Sequence, residues 1–305
     1  MVLSLYRKTL PEKAEDNTEE NVMAAFTNQA TLSYNRGTTT SNIVTGELVE
    51  VLTATKTAVS GSYEPGGKIT YIISVVNSGA TGYNGLTLTD NLGQYTVGTA
   101  SFVPLDFVAG SLHYYVGGTE QAAPTVTAGP PMTVTGISVP AGGNAVIVYE
   151  AKVNGTAPLT AESEIVNTAE LSGGGITPIT VTDTVNVSAE PRLTISKAIC
   201  PSTVVENGQV TYTFVIQNSG NIAAVAADGI TVTDTFDPVL NDIAVALDGT
   251  ALALTTDYTY DTATGAFATV PGRITVPAAT FAQNAGNGEY TVTPGVAVLT
   301  VTGTV

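Results

Sequence analysis

Residues 64–79 read Glu-Pro-Gly-Gly-Lys-Ile-Thr-Tyr-Ile-Ile-Ser-Val-Val-Asn-Ser-Gly, and residues 206–220 read Glu-Asn-Gly-Gln-Val-Thr-Tyr-Thr-Phe-Val-Ile-Gln-Asn-Ser-Gly. In each, a turn opens a run of β-branched and aromatic residues that closes on Asn-Ser-Gly, the pattern of a strand bounded by turns. Outward from these runs, Lys56-Thr-Ala-Val precedes the first and Leu86-Thr-Leu-Thr-Asp90 follows it. Lys197-Ala-Ile-Cys and Ile230-Thr-Val-Thr-Asp234 flank the second in the same order. Lys56 and Lys197, Tyr71 and Tyr212, and Asn77 and Asn218 are each 141 residues apart. A period of that length repeats a whole domain rather than a solenoid turn.

Composition agrees with strands. Of 305 residues, 43% are apolar and only 12% charged, with Val, Thr, Ala, Ile and Gly prominent. Asn144 to Val153 alternates in part and ends at the turn dipeptide Asn154-Gly155. Short strands separated by Gly, Pro and Asn turns, with hardly any helical periodicity, predict an all-β chain of two tandem Ig-like antiparallel sandwiches. The net charge of −16 argues against nucleic acid and against an anionic membrane as partners. No window approaches the ~18 apolar residues of a membrane helix. With one Cys and one His, Cys200 and His113, an intrachain disulfide is excluded and a zinc site disfavoured. No cofactor, metal or catalytic constellation is expected. The acidic run Asp234 to Asp242 lacks the ligand spacing of a calcium loop and reads as a solvated loop.

The combination of Lys, a Pro-Gly or Asn-Gly turn, an aromatic strand ending in Asn-Ser-Gly, Thr-Asp, and later Asn167-Thr-Ala resembles the repeat of bacterial surface proteins known as domain of unknown function eleven. That resemblance covers most of residues 27–305. It implies Ig-like sandwiches in an extracellular protein with a structural or adhesive role and no enzymatic activity.

The repeat is out of phase with the chain. The first copy finishes with Ile165-Val-Asn167-Thr-Ala-Glu-Leu171 and Ile179 to Val187, whereas the second runs to Ala297–Val305, a stretch parallel to the strand from Ala145. A spare version of the finishing strands precedes the first copy: Phe26-Thr-Asn28-Gln-Ala30-Thr-Leu32, then Asn42 to Glu50. The expected organisation is a flexible arm over 1–26, a donor segment over 27–50, a first sandwich over 51–190, and a second over 191–305 lacking its last strand. A sandwich without its last strand leaves an open edge. The strand can return from the same chain or come from a neighbour, and the second course generates an open head-to-tail filament. The neighbour is favoured, because the arm would otherwise double back along the first domain, with Phe26, Asn28, Ala30 and Leu32 as the donor residues.

In Ig-like surface domains that carry internal isopeptide bonds, a Lys on the first strand meets an Asn on the last, with a carboxylate between them. Burial lowers an amine's pKa and raises a carboxyl's, so that a neutral amine attacks a polarised amide and ammonia leaves. The matching residues are Lys56, Asp90 and Asn167 in the first copy, with Asn154 as a rival acceptor. In the second they are Lys197 and Asp234, whose acceptor would be Asn28 of another subunit. The alternative is a Lys-Asp ion pair with the Asn serving a turn. Cys200 reads either as a small buried hydrophobe or as half of an intersubunit disulfide; His113 reads as a surface strand residue. The sequence thus predicts a self-associating structural subunit of an extracellular filament on a cell or spore surface, with no signal peptide visible in Met1–Leu10. A monomeric adhesin or binding module is the alternative.

Overall fold

A computed structural model describes residues 24–48 and 51–305. Residues 1–23 of the expected arm lie outside the described residues. The chain is all-β; among the described residues the one helical element is a single 3-10 turn at Ala226–Asp228.

The first unit is a hairpin. β1 (Ala24–Asn28) pairs antiparallel with β4 (Val44–Leu48), and β2 (Thr31–Tyr34) with β3 (Gly37–Thr40). Asn28 lies opposite Val44 and Thr31 opposite Thr40, so two residues on one side face three on the other, a bulge. Ser41 holds it: its amide donates to the Ala30 carbonyl at 2.8 Å, and its hydroxyl accepts from the Ala30 amide at 2.9 Å. Leu32, Tyr34, Ile43 and Val44 are all more than half exposed. A lone hairpin with apolar side chains in water is marginal at best.

The first sandwich is built from β5 (Leu52–Ala58), β6 (Ser62–Tyr63), β7 (Lys68–Asn77), β8 (Tyr83–Asp90), β9 (Tyr95–Val97), β10 (Ala100–Phe102), β11 (Leu105–Phe107), β12 (His113–Val116), β13 (Thr119–Gln121), β14 (Thr125–Thr127), β15 (Met132–Val139), β16 (Asn144–Val153), β17 (Glu164–Gly173) and β18 (Ile179–Val187). One sheet runs β13-β12-β16-β7-β5, with β11 also on β16; the other runs β14-β15-β8-β17-β18-β6. Pairing is antiparallel except for the short parallel contact of β6 with β18. Ile69, Tyr71, Ile73, Val75 and Asn77 of β7 face inward in strict alternation, and Ala145, Ile147, Tyr149, Ala151 and Val153 of β16 do the same. Period two puts each such row on one face, which is why these strands were legible.

The second sandwich uses β19 (Leu193–Cys200), β20 (Gln209–Asn218), β21 (Thr233–Thr235), β22 (Asn241–Leu247), β23 (Thr250–Ala251), β24 (Tyr258–Tyr260), β25 (Ala266–Thr269), β26 (Thr280–Gln283), β27 (Tyr290–Thr293) and β28 (Gly295–Thr304). A sheet of order β19-β20-β28-β22-β23 faces a three-stranded sheet β21-β25-β24 across a core that includes Phe214, Ile216, Phe236, Phe267, Leu299 and Val301. The two Asn-Ser-Gly turns do the same job. Asn77 Nδ2 donates to the carbonyls of Thr81 and Pro140, and Asn218 Nδ2 to those of Ile222 and Pro277, at 2.8 and 3.0 Å in both cases.

Between the equivalent prolines and the strands that follow, the two copies diverge. The first turns tightly from Pro140 into β16, while the second inserts β26 and β27, which pack on the first sandwich. Gln283 Nε2 donates to the Tyr95 hydroxyl at 2.7 Å, and the Tyr290 amide to the Gly155 carbonyl at 2.9 Å. Arg192 reaches Glu64 at 2.6 Å on the same side of the junction.

Candidate crosslinking site

Lys56 sits on β5 with its side chain wholly buried, and its ammonium meets Asp90 Oδ2 at 2.6 Å, also wholly buried. Asp90 ends β8, where its Oδ1 accepts the Leu92 amide at 2.9 Å and fixes the following turn. Asn167 lies on β17, which pairs with β8 so that Ala169 stands opposite Asp90. Its Oδ1 accepts the Gly93 amide at 3.1 Å, and its Nδ2 donates to the Tyr149 hydroxyl at 3.3 Å. Tyr149 in turn donates to Asp90 Oδ2 at 2.5 Å. One hydrogen-bonded chain therefore joins lysine, carboxylate, tyrosine and asparagine inside the core. Gly93 has φ +74, and a Cβ there would stand 2.5 Å from Ile165 Cγ2, so only glycine brings this amide to Asn167.

The electrostatics follow from burial. Desolvation holds the Lys56 amine below its ordinary pKa of 10.5, against the opposing pull of Asp90. Desolvation, reinforced by Asp90, pushes the Tyr149 hydroxyl well above its ordinary range, so it keeps its proton. The Lys56 ammonium also lies 4.8 Å from the centre of the Tyr71 ring. β18 closes the site from the side: Asp183 Oδ2 accepts the Ala58 amide of β5 at 2.5 Å. The Lys56 amine, whose neutral form burial favours, thus shares Asp90 Oδ2 with the Tyr149 hydroxyl, and that hydroxyl accepts from the Asn167 amide, whose own oxygen accepts the Gly93 N–H.

The second copy keeps half of this. Lys197 pairs with Asp234, but the two side chains are 41% and 19% exposed. The Lys197 ammonium lies over three rings, Tyr212 at 4.5 Å and Phe214 and Phe236 at 5.4 Å each. β21, which carries Asp234, has three residues against the eight of β8 and pairs only with β25 among the described residues. Every residue of β19 is exposed, including Leu193, Ile195 and Ile199, which share the Lys197 face of the strand. Their counterparts beside Lys56 are covered: Leu52 is buried and Ala54 and Ala58 are half-buried.

Asn154, the rival acceptor, lies in its own loop, donating to the Val103 carbonyl at 2.9 Å and to Asp106 at 3.1 Å. Asn28 lies on β1 and is exposed, as are Ala30 and Leu32; Phe26 is described in its backbone only, opposite Gly46. Cys200 is exposed and free at the end of β19, rather than a small buried hydrophobe. His113 is exposed on β12 and meets Glu120 at 2.8 Å. Tyr149 was not anticipated; an inward tyrosine in a strand beside a buried Lys-Asp pair is the signal that would have found it.

No family model matches the chain, and no curated protein does. Solved structures similar to it include BcpA, the major pilin subunit of Bacillus cereus, at 14% identity over 89% of this chain and 73% of that one, with a TM-score of 0.33. The pilus backbone RrgB of Streptococcus pneumoniae is 14% identical over 80% of this chain and 55% of that one, with a TM-score of 0.34. The collagen-binding domain of a Staphylococcus aureus adhesin is 13% identical over 44% of this chain and 96% of that one, with a TM-score of 0.30. At these identities and scores no role carries across, and the function rests on the residues above.

Proposed function

We propose that the chain is a non-enzymatic structural subunit that polymerises head to tail, the hairpin of one copy completing the second sandwich of the next. The observation that carries this reading is a match of register over β1 and β4: Phe26 faces Gly46 and Asn28 faces Val44 as Ile165 faces Val185 and Asn167 faces Asp183, before the bulge at Ala30 that β17 and β18 lack. The free side of β21 and the apolar face of β19 are the counterparts of what β17 and β18 cover in the first copy. Seated in that register, Ala30 would stand beside Asp234 as Ala169 stands beside Asp90, and Leu32 beside Val232 as Leu171 stands beside Leu88. β4 would then lie over β19. Burying Leu32, Leu193, Ile195 and Ile199 would contribute about 1.5–3 kcal/mol for each side chain fully covered.

Two crosslinks would strengthen such a fibre. Lys56 and Asn167 would condense within the first sandwich, and Lys197 would condense with Asn28 of the neighbour, assisted by Asp234. The filament would be displayed outside the cell, on a cell or spore surface, where its negative charge would keep fibres soluble and apart.

Negative-stain imaging of the purified chain tests the reading. Filaments are expected, and removal of residues 1–50 should leave single particles. Boiling in denaturant and reductant should leave a ladder that Lys197→Ala abolishes. Single particles from the full chain at high concentration would overturn the filament in favour of a monomeric adhesin, and a ladder that survives Lys197→Ala would refute that link.

A further inference from the structure

Tyr149 touches both the carboxylate and the nitrogen that would leave, and the mirror position in the second copy lacks it. The register makes the comparison strict: β7 pairs with β16 so that Tyr71 faces Tyr149, and β20 pairs with β28 so that Tyr212 faces Val301. The first site therefore has a hydroxyl where the second has an isopropyl group. Asn167 can be oriented only one way, because the Gly93 amide can only donate and so fixes Oδ1; Nδ2 is left against Tyr149.

We infer that Tyr149 is a catalytic residue of the Lys56–Asn167 condensation, its hydroxyl relaying a proton from Asp90 to the departing nitrogen; this rests on the crosslink proposed above. The Lys56 ammonium gives one proton to Asp90 Oδ2, 2.6 Å away. The neutral amine adds to Cγ of Asn167, and the electron pair of the carbonyl moves to Oδ1, where the Gly93 N–H already donates. Tyr149 passes its proton to Nδ2 and takes the one on Asp90, along hydrogen bonds of 3.3 and 2.5 Å. The Cγ–Nδ2 bond breaks, ammonia leaves, and the surplus proton on the new amide nitrogen returns to Asp90. One C–N bond forms, one breaks, and nothing is oxidised or reduced.

The test follows the full chain by intact mass at intervals after a short pulse of cell-free synthesis. The wild type should lose the mass of one ammonia quickly. Tyr149→Phe should fold, as judged by near-UV circular dichroism, but convert about 10²-fold more slowly or beyond, the scale of a lost general acid. Tyr114→Phe is the control. Tyr114 is buried on β12 of the same sheet, but its hydroxyl donates to the Ser138 carbonyl and accepts the Ser138 amide, outside the site, so its conversion should match the wild type. Equal rates in Tyr149→Phe and wild type would overturn the relay while leaving the crosslink standing. Equal slowing in both variants would overturn it too, by assigning the effect to packing. A wild type of unshifted mass would overturn the crosslink and the relay together. Should Tyr149→Phe misfold, a ring-fluorinated tyrosine at this position keeps the volume and the hydroxyl. A rate that moves with fluorination supports the relay, and an unchanged rate overturns it.

Discussion

The two lysine sites are the same sentence written in two solvents. Lys56-Asp90 and Lys197-Asp234 occupy equivalent strands, yet one pair is fully buried and the other 41% and 19% exposed. The difference lies in what covers them rather than in the pairs themselves. β17 and β18 lie against the first, while the corresponding flank of the second is bare among the described residues. Burial penalises the charged form of an ion pair, so the cover decides how strongly each pair is desolvated.

Removing the carboxylate from each site in turn should set the two lysines furthest apart. Asp90→Ala leaves the Lys56 ammonium buried without a partner, which costs about 3–5 kcal/mol, and it also removes the acid of the proposed condensation. Asp234→Ala, in an isolated subunit, removes a half-exposed pair worth no more than ~1 kcal/mol. Guanidinium unfolding of the two variants should separate them widely. Comparable losses would show that the Lys197 site is as desolvated in solution as the Lys56 site, and the contrast would fall.

A second difference between the copies is the inserted β26–β27, and a smaller effect is expected there. Gly288, at φ +76, leads into β27, and a Cβ on it would come within 2.2 Å of Phe102 Cδ1 in the first sandwich. Gly288→Ala should cost about 1–3 kcal/mol through overpacking and backbone strain, and should loosen the docking of the insert. Hydrogen exchange at the Tyr290 amide, bonded to the Gly155 carbonyl, should quicken by one to two decades, an expectation of the order that such a loss implies. Unchanged protection would mean that Arg192–Glu64 and the linker hold the two sandwiches without the insert.

The strands of the first sandwich were legible because period-two alternation in residues 68–77 and 144–153 can bury only one face. The Lys, Asp and Asn of the site were legible because their spacing recurs. What stayed hidden depends on neighbours distant in the chain. Tyr149 becomes part of the site only when β16 is laid beside β7, a register no local pattern encodes. The docking of residues 280–293 was hidden for a related reason: Gln283 and Tyr290 look like ordinary turn-flanking residues until Tyr95 and Gly155 are brought beneath them. Cys200 misled because β19 is solvated along its whole length, whereas a strand one repeat earlier is partly covered.

The smallest predicted effect isolates the burial of Lys56 from the proposed condensation. Asn167→Ala removes the proposed acceptor, so Lys56 keeps its amine. Its folded pKa lies below 10.5 because burial penalises the ammonium. Between that lowered value and 10.5 the unfolded chain holds a proton that the folded chain does not, so stability must rise with pH across this window. Below the window both states are protonated and the penalty is present in full. The gain is ~1.4 kcal/mol for each unit of separation. Above about pH 10 the opposite sign sets in: burial raises the Tyr63 and Tyr71 hydroxyls above their ordinary 10.0, so the unfolded chain loses protons that the folded one keeps. Denaturant midpoints of Asn167→Ala should therefore climb on the approach to pH 10 and then turn over, and the added change Lys56→Met should remove the climb while sparing the turnover. A climb that persists without the Lys56 amine would place its origin elsewhere. No climb in either variant would mean that Asp90 offsets the desolvation of Lys56 in full, leaving the two lysine sites distinguished by access to an asparagine and not by the state of their amines.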